Sequence, residues 1–586
     1  MRFLPVIAGT LFLLAVVSFD GRGEEPFLRV VVPESDTTTT PFARHRLAAS
    51  TNPGNSVTVN GTPLKVYTSG AFVALLDLNV GENLFTIVAM RDTGQSVSAS
   101  FLIIRPKPLE TSRLDTLAID SVMMEPATDL WVLPGDLLKV QFKGTPGCKA
   151  SFFYGIPMRE LLVTEANGLR GVYQGVYKIQ SADRFAEVPV EYTLTDSAGR
   201  SVSAESRGRV KTLRNDVPLV GLTRGERPFL NFGLGEDRLG GAKMSFLNPG
   251  IKLMITGKVG PQYRVALNGE REAWIPEELV ELQPAGTYPP FSLTGSWNVY
   301  GDERYDYVTV TLTDRLPYAS FVEFDPTRIM LEVYGAVSNT NWITQQLTTR
   351  EVRSVAYAQA SRNVFRLTVE LAHRQVWGYD VSYRGTMLVL RVRRHPEDLS
   401  IGRLTVALDA GHGGENEGAV GSTGLLEKNV NLATVMHLKN LLQQKGAGVV
   451  LTRTDDTFSS MNDRVRKVID SGADILISVH ANSIGSTSDP EAVKGVSTYY
   501  KYPCYQSLSL SLLQELVKSD LASFGNIGGF NFALNSPTEL PNALVEMAFL
   551  SNPEDEMKLL DDEFRKELAQ RILEGVKEFL NSCEED

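Results

Sequence analysis

In the last third of the chain, three ionisable residues stand at the ends of short apolar runs. His412 follows VALDAG, His480 follows DILISV, and Glu546 follows NALV. In open α/β sheets, sites form outside the carboxyl ends of the strands, and side chains placed there can act together. Two neutral imidazoles and one carboxylate form a ligand set for Zn²⁺ that leaves a fourth position open to water. The pattern therefore predicts a zinc site with room for a reactive water.

Each of these residues also has an ordinary structural explanation when it is taken alone. A histidine before two glycines, such as His412, is usually a turn residue, and His480 could be satisfied by the following Asn482. Glu546 is harder to explain, because ALVEMAFL gives it apolar neighbours on both sides. Burying an unpaired carboxylate costs several kcal/mol or more, so this group needs a cation or a raised pKa. The structural explanations hold singly but not jointly.

A second glutamate follows the loop that begins at His412. Glu427 opens the amphipathic segment EKNVNLATVMHLKNLLQQKG, where an acid is favourable to the helix dipole in any case. Gly411, Gly413 and Gly414 let the backbone turn sharply and bring the imidazole against a metal. We expect the loop to return Glu427 to the same point.

From about Leu399 the sequence predicts an α/β domain with a mostly parallel sheet flanked by helices. Short apolar runs, suited to strands buried on both faces, alternate with amphipathic helical patterns. The predicted strands are RLTVALDA, GVVLTRTD, ADILISVHAN, GVSTYYKY and NALVEMAF, and the predicted helices begin with EKNVNLAT, MNDRVRKV, YQSLSLSL and EDEMKLLD.

Ahead of this domain the pattern is almost entirely β. Short alternating runs are separated by Asn-Gly, Asp-Thr-Gly and Pro-Gly turns. The strand spacing in Val57–Arg105 predicts a β-sandwich similar to immunoglobulin-like modules, and residues 116–213 repeat the pattern. Leu247–Leu282 resembles a bacterial Src-homology-3-like barrel, and residues 296–394 resemble the AMIN domain, another β module.

Length, charge and cysteine content exclude some classes of function. At 586 residues the chain is too long for one core, so several domains are expected. The net charge of -11 and the pI near 5.3 argue against a nucleic-acid partner, which usually requires a basic surface. Cys148, Cys504 and Cys583 are too few and too scattered for a disulfide framework or a cysteine-type zinc site, and no essential disulfide is predicted.

The N-terminus is typical of an export signal. Arg2 supplies the positive end, and Leu4–Phe19 form an uncharged, largely apolar stretch. The stretch is short for a bilayer span, which needs about 20 apolar residues, and nothing later in the chain is apolar enough to cross a membrane. We predict cleavage and secretion, with no stable membrane span after signal removal; an uncleaved anchor is the alternative.

Four separated motifs in the last domain closely resemble the zinc-dependent N-acetylmuramoyl-L-alanine amidases of bacterial cell walls. They are DAGHGGENEGAVGSTGLLEKNVNL, LTRTDDTF, DILISVHAN and ALVEMAFLSNPEDE, in the order found in that family. The resemblance implies that His412, Glu427 and His480 bind Zn²⁺ and that Glu546 is the catalytic glutamate. It also implies hydrolysis of the amide bond between the lactyl group of N-acetylmuramic acid and L-alanine of the stem peptide in peptidoglycan.

With this resemblance, the chain is predicted to contain several N-terminal all-β modules followed by a C-terminal α/β domain. Peptidoglycan is the expected partner, a protein activator is left open, and the periplasm is the expected location. The β modules are expected to target the enzyme to the wall. The predicted boundaries are 1–24 for the signal peptide, 27–110 and 115–214 for two immunoglobulin-like β domains, 217–284 for the Src-homology-3-like barrel, 295–396 for the AMIN-like domain and 400–583 for the amidase domain.

Some features depart from the usual pattern of this family. Asn535 lies near a point where members often carry an arginine, and Ala548 stands where a glycine is usual, so substrate affinity is expected to differ. The segment ANSIGSTSDPEAVKG after His480 is short and lacks the helical insertion that blocks the site in regulated members. No self-inhibiting helix is expected there. Asp409 and Asn482 are the expected partners of the ligand rings, because they are nearest in sequence.

Two alternatives remain for the function. Another zinc hydrolase, such as a carboxypeptidase or a deacetylase, would need a different ligand spacing and would release D-alanine or acetate. A catalytically inactive wall-binding protein would lack a ligand or the base, yet all four residues are present. The four motifs favour the amidase.

Overall fold

The structure, a computed structural model, describes residues 27–107, 116–237 and 240–584. The predicted signal peptide, residues 1–24, lies outside the described residues. Within the described part, strands dominate the N-terminal two thirds, and a domain of helices around one sheet follows. The coarse prediction of β modules ahead of a domain with helices and a sheet is thus confirmed. None of the described helices combines the length and the apolar character that crossing a membrane requires.

The first module, residues 27–107, consists of two sheets that enclose an apolar core containing Leu47, Phe72 and Ile87. Residues of both sheets contribute to this core. One sheet orders Leu28–Val32, Arg44–Thr51 and Ala71–Asp77; the other orders Thr37–Thr39, Ser96–Arg105, Gly81–Met90, Ser56–Val59 and Thr62–Leu64.

The second module (residues 116–214) and the third module (217–284) share one continuous sheet. Leu130–Val132 joins them, because it pairs with Ser201–Thr212 on one side and with Lys252–Val259 on the other. The remaining strands of the second module are Ile119–Glu125, Leu137–Gly144, Lys149–Phe152, Ile156–Glu160, Val172–Lys178 and Ala186–Thr195; those of the third are Leu219–Thr223, Phe229–Asp237, Gly240–Phe246, Gln262–Ala266, Glu272–Pro276 and Val280–Leu282.

The fourth module, residues 292–393, packs directly on the third. Leu253 and Ile275 of the third module, Trp297 and Leu390 of the fourth, and Tyr505 of the last domain belong to one apolar core. The third and fourth modules therefore share one apolar core instead of each having a separate one. The strands of the fourth module are Ser292–Leu293, Trp297–Gly301, Tyr305–Val310, Tyr318–Glu323, Arg328–Tyr334, Ala336–Val337, Ile343–Gln345, Val352–Ser361, Val364–Leu371, Tyr379–Arg384 and Met387–Arg393.

The last domain surrounds a six-stranded sheet with helices. Its strands are β1 (Thr405–Ala410), β2 (Gly448–Leu451), β3 (Ile475–Asn482), β4 (Val496–Tyr499), β5 (Ser523–Ile527) and β6 (Asn542–Phe549), in the order β2-β1-β3-β6-β4-β5. The helices are α1 (Glu427–Gln444), α2 (Met461–Asp470), α3 (Gln506–Leu516), α4 (Pro553–Leu560) and α5 (Asp562–Glu584). Neighbouring strands pair in parallel except β4 and β6, which are antiparallel.

Local sequence explains where these elements begin and which faces they bury. Every residue of β6 is buried, as expected for a strand covered on both sides. α2 begins after Ser460, whose hydroxyl accepts from the N–H of Asp463, and α4 begins after Asn552, whose side chain caps its first turn. Parallel pairing brings the carboxyl ends of β1, β3 and β6 to one edge of the sheet, and this edge carries the candidate site.

The first module contacts the loops at this same edge. Arg29 Nη1 donates to the carbonyl of Thr423, in the loop after β1, at 2.9 Å. The Tyr67 hydroxyl donates to Glu491 Oε1, in the loop after β3, at 2.6 Å. The loop between β3 and β4 contains turns and no helix.

Candidate active site

The predicted site residues lie at the carboxyl edge of the sheet of the last domain. His412 lies just beyond β1, Glu427 is the first residue of α1, and His480 and Glu546 lie within β3 and β6. β3 and β6 pair in parallel with His480 opposite Glu546. Because directly paired residues on neighbouring strands point to the same face of a sheet, these two side chains share one face.

His412, Glu427 and His480 form one cluster. Their nitrogen and oxygen ligand atoms all lie within 4.8 Å of one another. Glu427 Oε1 lies 3.1 Å from His412 Nε2 and 3.0 Å from His480 Nδ1. Two imidazole nitrogens and a carboxylate oxygen are donors that Zn²⁺ prefers, and catalytic zinc sites have three protein ligands and one open position. The donor set therefore fits zinc.

Two glycines permit this close approach. A Cβ on Gly411 would collide with the ring of His480, and a Cβ on Gly418 would collide with the carboxylate of Glu427. His412 itself has a φ of 62°, in the left-handed region, so the turn is tight at the imidazole. The sequence identified Gly411 but not Gly418, whose sole signal is its position in the loop between two ligands.

Glu427 has hydrogen-bond donors on both carboxylate oxygens. Oε1 accepts from the backbone N–H of Ala481 at 3.1 Å, and Oε2 accepts from that of Ala419 at 2.7 Å. Burial alone would raise the pKa of Glu427, but the hydrogen bonds and charges of His412 and His480 outweigh it and hold the pKa well below its ordinary value. The carboxylate is therefore an anion in the folded protein, as a metal ligand must be.

The second nitrogen of the His412 ring also has a partner. His412 Nδ1 lies 2.8 Å from Asn416 Oδ1, so an Nδ1–H can donate to the amide oxygen and leave Nε2 as the ligand nitrogen. The sequence pointed instead to Asp409 and Asn482 as ring partners. In the structure Asn482 Nδ2 donates to the Tyr499 hydroxyl at 3.4 Å, because the side chain points along the sheet towards β4. Asn416 escaped notice because it lies in a loop without periodicity.

Asp409 forms a buried ion pair beneath the site. Arg464 Nη1 donates to Asp409 Oδ1 at 2.9 Å, and both side chains are 1% exposed. The hydroxyls of Thr452 and Ser478 donate to the same carboxylate at 2.7 Å each. Burial alone would raise the pKa of Asp409, but the charge of Arg464 outweighs it and lowers the pKa. Arg464 also donates to the carbonyl of His412 at 2.6 Å, so the pair fixes the turn that carries this candidate ligand.

We expect Arg464→Met to destabilise the last domain by about 3–5 kcal/mol, because it leaves Asp409 as an unpaired buried charge. Denaturant-dependent hydrogen exchange of peptides from β1 and α2 would measure the loss within this domain. Arg466→Met, which changes a half-exposed arginine on the same helix, is the matched control and should stay within about 0.5 kcal/mol. Adding Asp409→Leu to Arg464→Met should restore much of the stability; equal stability of Arg464→Met and the wild type would contradict the assignment.

Aromatic side chains line one side of the cluster. The rings of Phe532 and His480 stack with centroids 6.4 Å apart, and Tyr499 lies 5.2 Å from Phe532 and 5.1 Å from Phe530. We call Tyr499, Phe530 and Phe532 the aromatic wall. Sequence reasoning missed it, because GGFNFAL has no periodic pattern and the residues meet only when the loop after β5 folds back on β4.

The two departures from the usual family pattern are packing positions. Asn535 and Ala548 have no exposed surface. Asn535 Nδ2 donates to the carbonyl of Tyr499 at 3.2 Å and to Asn542 Oδ1 at 3.3 Å, so it ties the loop before β6 to β4. Neither side chain presents a surface to a substrate in this structure.

The part of the chain that carries the candidate site is similar to known proteins. The profile of the N-acetylmuramoyl-L-alanine amidase family Amidase_3 matches residues 406–578. The uncharacterized protein YqiI of Bacillus subtilis is 34% identical over 180 residues, which are 30% of this chain and 84% of that protein. The amidase AmiC of Neisseria meningitidis is 27% identical over 380 residues, which cover 50% of this chain and 91% of that protein.

Two further relatives each match somewhat less than a third of the chain. The probable cell wall amidase LytH of Staphylococcus epidermidis is 34% identical over 30% of this chain, and the match spans only 59% of its own length. The solved catalytic domain of the amidase CwlV from Bacillus (Paenibacillus) polymyxa is 34% identical, over 30% of this chain and 98% of that one, with a TM-score of 0.29.

A helix-flanked sheet with a His–Glu–His cluster at its carboxyl edge defines the last domain as a candidate metallohydrolase. The chain belongs to the N-acetylmuramoyl-L-alanine amidase family, and its enzymatic class is that of an amide hydrolase.

Proposed function

We propose that this protein is a zinc-dependent N-acetylmuramoyl-L-alanine amidase. It hydrolyses the amide bond between the lactyl group of N-acetylmuramic acid and L-alanine of the stem peptide in peptidoglycan. The observation that carries the proposal is the convergence of His412, Glu427 and His480 within 4.8 Å, with Glu546 paired to His480 on the next strand. Three ligands with a neighbouring acid are the parts that metal-assisted amide hydrolysis requires.

In the proposed mechanism His412, Glu427 and His480 hold the metal, and Glu546 moves the protons. A bound zinc ion would lower the pKa of its water to about 7 and polarise the scissile carbonyl. Glu546 accepts the proton that leaves the water as the oxygen bonds to the lactyl carbonyl carbon, and it then returns a proton to the amide nitrogen. The C–N bond breaks, the lactyl group becomes a carboxylate, and L-alanine leaves with a free amine.

The remaining residues of the site prepare this reaction. Asn416 orients the ring of His412, and the Asp409–Arg464 pair fixes the backbone of the same turn. Glu546 is 5% exposed, so its carboxylate works in a largely desolvated position. In such a position hydrogen bonds and charges act more strongly than in water.

We propose that the β modules target the enzyme to the wall and that it acts outside the cytoplasm, in the periplasm. Two of them carry large aromatic side chains at the surface: Tyr154 of the second module is 99% exposed, and Trp342 of the fourth is 61% exposed. Exposed aromatic rings offer amphipathic contact surfaces for a polymer. A protein activator stays a prediction from the sequence.

Analysis of products and metal tests the proposal. The zinc-loaded chain, incubated with purified peptidoglycan, should release stem peptides with a new N-terminal alanine and leave glycan strands without peptides. The same preparation should contain stoichiometric zinc and should sediment with insoluble sacculi. Release of D-alanine or acetate would indicate a carboxypeptidase or a deacetylase instead. Intact peptidoglycan, with the protein still bound to it, would indicate a wall-binding protein without this activity.

A further inference from the structure

A cavity separate from the candidate active site lies where the third module, the fourth module and the last domain meet. Its volume is about 430 Å³, within the usual range for small-molecule sites. The third module contributes Arg227 and Phe246, the fourth contributes Asp380, and the last domain contributes Arg466 and Glu539. None of these residues belongs to the His412–Glu427–His480 cluster.

Arg227 contributes a positive charge to the lining of this cavity, and Lys501 lies near the same aromatic ring as Arg227. The Arg227 guanidinium lies 4.4 Å from the centre of the Phe246 ring, and the Lys501 ammonium lies 5.3 Å from the same ring. Arg227 donates one hydrogen bond, at 3.3 Å, to the hydroxyl of Ser536. Burial lowers the pKa of Arg227, and burial together with neighbouring cations lowers the pKa of Lys501 to about 8.

Glu539 and Asp380 contribute carboxylates to the same lining. Burial, and then the negative charge of Asp380, raise the pKa of Glu539 to about 7, and the positive charge of Arg227 opposes this rise only in part. The nearest cation to Asp380 is Arg391, at 3.9 Å, which is the limit of an ion pair. Within residues 27–107, 116–237 and 240–584, neither Glu539 nor Arg227 forms an ion pair, so their charged atoms are more than 4.0 Å apart.

Arg227 and the two carboxylates line one cavity without forming ion pairs with each other, and this arrangement indicates the charges that a ligand would carry. A partly buried charge without a partner costs free energy, and a ligand that brings the complementary charge removes that cost. A divalent cation does not fit well, because two carboxylates are few ligands for a hard cation and Arg227 would repel it. A molecule with an ammonium at one end and a carboxylate at the other offers a partner both to the carboxylates and to Arg227.

We propose that this junction cavity binds a short peptide that carries a free ammonium and a carboxylate. The ammonium contacts Glu539 and Asp380, and the carboxylate contacts Arg227. The stem peptides that the reaction releases have this chemistry, and this part of the inference rests on the proposed function. Two segments of the last domain contribute both to this cavity and to the surroundings of the candidate active site. Glu539 lies just before β6, which carries Glu546, and Arg466 lies on α2, which also carries Arg464.

Calorimetric titration of the full chain with the dipeptide L-alanyl-D-glutamate tests the proposal. The dipeptide should bind, and blocking its ammonium by N-acetylation or its carboxylates by amidation should weaken binding at least about tenfold, as expected when one side of a buried charged contact is lost. Glu539→Gln and Arg227→Gln should weaken binding of the free dipeptide to a similar extent. Glu323→Gln, an exposed carboxylate of the fourth module outside the cavity, should leave it unchanged.

A second comparison separates this cavity from the candidate active site. Glu546→Gln should leave dipeptide binding intact, whether or not the protein proves to be an amidase. Binding that survives Glu539→Gln but is lost in Glu546→Gln would place the ligand in the candidate active site and overturn the proposal. Absence of binding to the wild type, or equal binding of the acetylated dipeptide, would overturn it as well. Unchanged melting temperatures would show that the glutamine variants are folded.

Discussion

Replacing Glu546 with glutamine will lower the rate of amide hydrolysis by about 10²–10⁴-fold, the usual contribution of a general acid–base group. Glutamine has the same shape, but it can neither accept the proton of the attacking water nor return one to the amide nitrogen. Since Glu546 is not part of the His412–Glu427–His480 cluster, zinc content should not change. Release of stem peptides per unit time, measured beside the zinc content of the same sample, checks both expectations.

A matched control for this variant is Glu554→Gln. Glu554 lies at the start of α4, near the same edge of the sheet, and makes a surface ion pair with Lys494 at 2.8 Å. Surface ion pairs contribute about 0–1 kcal/mol, so this variant should keep its activity within about twofold. Full activity of Glu546→Gln would assign the proton transfers to another group. Loss of zinc from Glu546→Gln would instead make Glu546 a ligand.

The sequence indicated candidate site residues because strands and their ends are locally encoded. The residues that follow VALDAG and DILISV had to lie at strand ends once these runs formed a sheet, and the parallel order brought His412 and His480 to the same edge. Glu427 had two signals, its place at the head of a helix and its motif. Asn416 and Gly418 lacked such signals, because their roles depend on how one irregular loop folds.

The sequence pattern around Arg464 could have indicated that this residue forms a buried ion pair. It lies on the buried face of α2, next to Val465 and one turn before Val468, and a charged residue on an apolar face needs a buried partner. The sequence could not name that partner, since Asp409 is distant along the chain and the pairing requires the finished sheet.

The boundaries of the β modules were harder to predict than their strands. Trp377 falls inside the stretch predicted as 295–396, yet it is 1% exposed and belongs to the apolar core of the last domain, where its ring stacks on Phe579 at 6.0 Å. Alternating patterns show which residues are buried but not which unit buries them. Removing the modules at residue 399 would therefore uncover part of the core that supports the site.

The candidate metal site gives the other large effect: we expect Glu427→Gln to weaken zinc binding more than about 100-fold, beyond the usual effect of losing a group that only orients a ligand. Its carboxylate oxygens accept hydrogen bonds from the backbone N–H groups of Ala419 and Ala481 and from Asn431 Nδ2, and the two ring nitrogens lie 3.0–3.1 Å from Oε1. A glutamine must turn an NH₂ group towards one of these donors, and it supplies no negative charge to the metal. Competition with a chelator of known zinc affinity measures the loss without reference to catalysis.

Asn416→Ala provides a graded control for this measurement. It removes the partner of His412 Nδ1 and leaves all three ligands in place, so we expect a loss of about 10–100-fold, the usual effect of a group that orients a ligand. Zinc should also raise the melting temperature of the wild-type protein, because an ion that binds only the folded state stabilises it by mass action, and this rise should disappear in Glu427→Gln. Because Asn416 contacts a proposed ligand and Glu427 is itself a proposed ligand, we expect the smaller loss for Asn416→Ala. The reverse order would place the metal away from Glu427 and would remove the basis for the proposed hydrolysis.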